Sequence, residues 1–130
     1  LSIYTYFCFS SSDKYYGRDT LNKMYILNSS RNDIRKNYGS PISYGIVEIK
    51  DVLDVIKYID KYYPTGMARL DQNRIEKDLI NIEINKAKSV DVFRRFRESS
   101  IPTPTPGIFL DYVFYDKDEK VIWSYRVFLD

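Results

Sequence analysis

Residues 108–129, IFLDYVFYDKDEKVIWSYRVFL, decide the fold. Two runs rich in aromatic and β-branched residues, 108–115 and 120–129, flank one polar cluster, Asp116, Lys117, Asp118 and Glu119. Such side chains fit a pleated surface, and a short charged break between two such runs signals a β-hairpin. Either a two- or a four-residue loop sets Asp116 opposite Glu119 and Tyr115 opposite Lys120. One face then carries Phe114 with Val121, Tyr112 with Trp123, Leu110 with Tyr125 and Ile108 with Val127, and is the expected core face. The other carries Val113 with Ile122, Asp111 with Ser124 and Phe109 with Arg126, which places Asp111 diagonal to Arg126 within reach of an ion pair.

Before the hairpin, Pro102, Pro104 and Pro106 at every second position restrain the backbone to extended forms and make a stiff connector. Residues 71–99 read as a charged, mainly helical segment. Ile75, Leu79 and Ile82 share one face and Phe93 and Phe96 lie near its end, although Ile80, Ile82 and Ile84 alternate as a strand would. A second helix is predicted from the N-cap Asp51, with Val52, Ile56, Ile59 and Tyr63 on one stripe and Pro64 and Gly66 as its stop. Residues 2–9, 23–28 and 42–50 read as strands, and 29–41 as a loop with one helical turn. The expected fold is α+β in a single domain, 1–130: an antiparallel sheet of about five strands ending in a C-terminal β-hairpin, with two helices packed on one face. The other sheet face, bearing Phe109, Val113, Tyr115 and Ile122, is too apolar for water and is expected to be covered by a partner or by the loop 29–41.

Composition narrows the chemistry. The chain has no histidine, one cysteine and thirteen tyrosines, so a His-dependent triad and a typical zinc site are excluded. No catalytic residue, metal ligand or cofactor is assigned from the sequence. Cys8 has no partner in the chain, which favours a reducing compartment such as the cytoplasm. The start at Leu1 rather than Met keeps a periplasmic or secreted origin open, and the apolar opening 1–9 is too short to span a membrane.

Tyrosines within strands and helices are expected in the core; those in loops and at a helix end serve as rigid contact anchors. The expected function is therefore a non-enzymatic protein-binding module that masks another protein, as a small inhibitor or a toxin-neutralising immunity protein does. Its contact residues would be Tyr15, Tyr16, Tyr38, Tyr62, Tyr63, Phe109 and Tyr115. A first alternative is nucleic-acid binding by the basic segment 86–97, through Lys86, Lys88, Arg94, Arg95 and Arg97 interleaved with Phe93 and Phe96. A second is a carboxylate-dependent hydrolase built from residues such as Glu76, Asp78, Glu83 and Asp111.

Overall fold

The computed structural model describes residues 18–61, 72–97 and 107–128. Their elements, in chain order, are α1 (Arg18–Met24), α2 (Arg31–Tyr38), β1 (Ser43–Ile46), α3 (Val52–Lys61), α4 (Gln72–Leu79), a 3-10 turn (Ile84–Lys86), β2 (Ser89–Arg97), β3 (Gly107–Tyr115) and β4 (Val121–Phe128). The fold is α+β. Four strands form one antiparallel sheet in the order β1-β2-β3-β4, ending in the C-terminal hairpin. The expected strand 2–9 and the connector 101–106 lie outside the described residues.

The hairpin pairs with a shift that the sequence did not reveal. Phe114 lies opposite Trp123, Tyr112 opposite Tyr125 and Asp111 directly opposite Arg126, two residues away from the expected register. A slip of two keeps the face parity, so Leu110, Tyr112, Phe114, Trp123, Tyr125 and Val127 do share a core cluster. The irregularity sits between Phe114 and Tyr115, where Ile122 is the extra residue on β4. It moves Val121 onto the face of Tyr115 and Ile122 toward the opposite one. In the turn, the Asp116 carboxylate accepts the amides of Asp118 and Lys120 at 2.9 and 3.0 Å, and Glu119 takes positive φ.

The two helices expected from the sequence begin where predicted and share one sheet face. Asp51 accepts the amide of Asp54 at 3.2 Å, and Asp54 accepts that of Lys50 at 2.8 Å, closing the N-terminus of α3. Val55 and Ile59 of α3, with Ile75 and Leu79 of α4, pack on Val90, Val92, Leu110, Tyr112 and Phe114. Tyr112 also donates its hydroxyl to the Ile59 carbonyl at 3.1 Å.

Three sequence expectations are corrected. The helix over 71–99 stops at Leu79, and 89–97 is the central strand β2, buried from both faces. Val90 and Val92 point to one cluster and Asp91 and Phe93 to the other side, a period of two that the i, i+3 spacing of Phe93 and Phe96 concealed. The strand over 23–28 is replaced by helix α1, because Leu21, Met24 and Tyr25 are buried at helical spacing while Ile26 and Leu27 are exposed. The loop 29–41 contains the two-turn helix α2, with Ser30 accepting the Asp33 amide at 3.1 Å and Gly39 at φ 86° closing the other end. α1 and α2 together cover the second sheet face, burying Phe93, Val113, Tyr115 and Val121 under Leu21, Met24, Tyr25 and Ile34.

Candidate functional site

The covered second face is polar at its centre. Asp91 on β2 and Asp111 on β3 sit two register positions apart on the same side, since Asp91 pairs with Val113 and Asp111 with Phe93. Both carboxylates are fully buried. Burial of a charge is tolerated only when it is paired and hydrogen-bonded, and both are. Arg126 grips Asp111 with Nε at 2.7 Å and Nη2 at 2.8 Å, while the Tyr25 hydroxyl donates to it at 2.6 Å. Arg35 grips Asp91 through Nε at 2.9 Å and Nη2 at 2.7 Å, and the Tyr115 hydroxyl donates at 3.1 Å. Arg31 reaches Asp91 at 3.6 Å and Glu119 at 3.1 Å, with its guanidinium 4.5 Å from the Tyr115 ring. Burial, then the neighbouring carboxylate, pushes the Tyr25 and Tyr115 hydroxyls above the ordinary tyrosine range, and the bond to Asp91 raises Arg35.

That network ends at the surface on one residue. The Arg35 guanidinium lies 5.2 Å from the centre of the Tyr44 ring on β1. Tyr44 is directly opposite Asp91 in the β1–β2 ladder, so the chain Asp91, Arg35, Tyr44 runs from the core to solvent. Tyr44 is 67 % exposed and Ile46, two residues on along the same face, is 86 % exposed. Ile42, just before the strand, is half exposed.

β1 is an outer strand of the sheet. Its bonding direction follows from the Val47 amide, which donates to the Lys88 carbonyl at 3.0 Å and continues the register of Ile46 opposite Ser89. Residues of one parity, Ser43, Gly45 and Val47, therefore turn their backbone groups toward β2. Tyr44 and Ile46 turn theirs outward. The other outer strand is treated differently. At β4, Val121 exchanges backbone bonds of 2.9 Å with Asn28 and Ser29, and Ser30 bridges Lys120. Farther along that edge a groove of about 300 Å³ is lined by Leu21, Leu27 and Trp123 and by charges of both signs, Arg74, Lys77 and Asp78.

The residues singled out from the sequence are distributed as follows. Phe109 and Tyr115 are fully buried, which corrects their assignment as partner contacts: α1 and α2 occupy the face on which they stand, and the Arg126 guanidinium lies 4.0 Å from the Phe109 ring. Tyr38 is half-buried, its ring 5.6 Å from that of Tyr25 and its carbonyl accepting Arg95 at 3.0 Å. Tyr15, Tyr16, Tyr62 and Tyr63 lie outside the described residues. The basic segment is not one patch. Lys86 and Lys88 precede β2 and Arg94 and Arg95 lie near its far end; Lys86 pairs with Glu83, and Arg95 is tied to Tyr38 and Tyr25. Phe93 is buried, and nothing is described of the Arg97 side chain. Among the carboxylates, Asp111 is held by Arg126 beneath α1, whereas Glu76 and Asp78 belong to α4 on the opposite face. Among the described residues no group of three or more Asp, Glu, Cys or His side chains could hold a metal. No helix there is long and apolar enough to cross a membrane.

Sequence reasoning placed Tyr44 in the core. The available signal was that 42–47 carries no acidic or basic side chain, unlike an edge guarded against pairing. No family model, curated protein or solved structure matches this chain.

Proposed function

We propose that the protein is a non-enzymatic protein-binding module whose contact surface is the open edge of β1. The observation that carries this reading is the combination of outward backbone groups at Tyr44 and Ile46 with their exposed apolar side chains. An extended segment of a partner adds to such an edge by main-chain hydrogen bonds, and its alternate side chains are sorted by the stripe beside them. The Tyr44 ring, steadied by Arg35, supplies a rigid anchor with little side-chain entropy to lose. A small inhibitor or toxin-neutralising immunity protein acts through this kind of surface by occupying a strand the partner needs. The support thus moves from the loop tyrosines to Tyr44, with Ile46 beside it.

Co-purification from the native host, read by mass spectrometry, tests the reading. The parent chain is expected to recover a protein that Ile46→Lys and Tyr44→Ala do not, with circular dichroism unchanged in both variants. Equal recovery by all three removes β1 as the contact surface.

A further inference from the structure

We propose that, when no partner strand is present, the β1 edge is occupied by β1 of a second copy of this chain, giving a two-fold dimer with one continuous antiparallel sheet through both subunits. This inference rests on the reading of β1 as an interface. The bonding geometry selects the register. With Tyr44 of one copy opposite Ile46 of the other, every outward N–H and C=O of the strand is used on both sides. Gly45 then meets its own symmetry mate at a position without hydrogen bonds, where the Cα atoms approach to about 4.5 Å. A two-fold centred on Tyr44 instead opposes Ile46 with Ile42, whose amide is already given to the Val92 carbonyl at 2.8 Å.

Side chains agree with that register. Tyr44 and Ile46 of the second copy become direct neighbours on one face, an aromatic against a β-branched residue, and the pair occurs twice. No acidic or basic residue lies between Ile42 and Val47, so no like charges oppose each other across the axis. The edge also carries none of the lysines or prolines that prevent strands from pairing within 42–47. The two exposed side chains offer on the order of 300 Å² per copy, so the interface falls well under the roughly 1,200 Å² of stable complexes. The dimer is therefore weak, forms at micromolar concentration or above, and is displaced by a partner strand that binds better.

Sedimentation equilibrium of the 130-residue chain is the test. The apparent mass is expected to rise with concentration from 15.5 kDa toward twice that value, and Ile46→Lys and Tyr44→Glu are expected to stay monomeric throughout. The register is read by mixing Tyr44→Cys and Ile46→Cys chains, both carrying Cys8→Ser: the oxidised mixture gives a covalent dimer and neither chain alone does, since opposed residues in a bonded pair have Cα atoms about 5.5 Å apart, suited to a disulfide. A parent that remains monomeric at millimolar concentration overturns the proposal, as does a dimer that survives Ile46→Lys, or equal cross-linking of each single variant alone. If the parent is monomeric but Ile46→Lys still loses its captured protein, self-pairing alone fails. If that variant keeps the captured protein too, the interface reading fails with it.

Discussion

Beneath α3 and α4 the sheet presents Val92, Leu110, Tyr112 and Phe114 to Val55, Ile59, Ile75 and Leu79, whereas beneath α1 and α2 it presents Asp91, Asp111, Phe93 and Tyr115 to Met24, Tyr25, Arg31 and Arg35. Apolar contact is non-directional and tolerates small shifts of the helices across the sheet. Forked guanidinium–carboxylate bonds do not, because two parallel hydrogen bonds fix distance and angle together. The ionic face therefore sets position. It holds Arg35, and through it the exposed ring of Tyr44, in a defined place on an otherwise unguarded edge.

The comparison breaks most visibly at Asp111. Asp111→Ala leaves Arg126, 1 % exposed, without its carboxylate, and is expected to cost about 3–5 kcal/mol in urea unfolding. Replacing the pair together, Asp111→Leu with Arg126→Met, is expected to recover most of that loss, since a packed apolar pair is often no less stable than a buried ionic one. Next in size is the alkaline limit. Tyr25 and Tyr115 are raised above their ordinary value of 10.0, chiefly by burial. An acid whose folded pKa is raised stays protonated in the folded chain while the unfolded chain loses its proton, so its stabilisation is complete below pH 10 and is lost as pH rises above it. Stability should fall by roughly 1.4 kcal/mol per pH unit for each such tyrosine, and Tyr115→Phe should flatten that slope. On the apolar face, Ile59→Val is expected to cost only about 0.5–1.5 kcal/mol. Glu119→Gln, at a partly exposed ion pair with Arg31, should cost less than about 1 kcal/mol.

Local signals were legible wherever one short segment carried them. The capping residues Asp51 and Ser30, the glycine after α2 and the two arms of the hairpin could all be read from the chain, although Ser30 and Gly39 were taken as parts of a loop. β2 was hidden because its residues are buried from both sides, so charged Asp91 and Arg95 broke the apolar pattern of a central strand while being satisfied by partners more than fifty positions away. The bulge at Ile122 was hidden for a related reason: its advantage is that Val121 meets Asn28 and Ser29, a contact no local pattern encodes. The open edge depended on strand order, and Tyr44 could be separated from the buried tyrosines only once β1 was known to lie outermost.

Hydrogen exchange at three adjacent amides tests the edge most directly. In dilute solution Gly45, which bonds toward β2, should be protected while Tyr44 and Ile46 exchange fast; on addition of the captured partner, or on raising the protein concentration, Tyr44 and Ile46 should become protected and Gly45 should not change. Protection of Tyr44 and Ile46 already in the dilute chain, or fast exchange of both in the complex, would contradict the account.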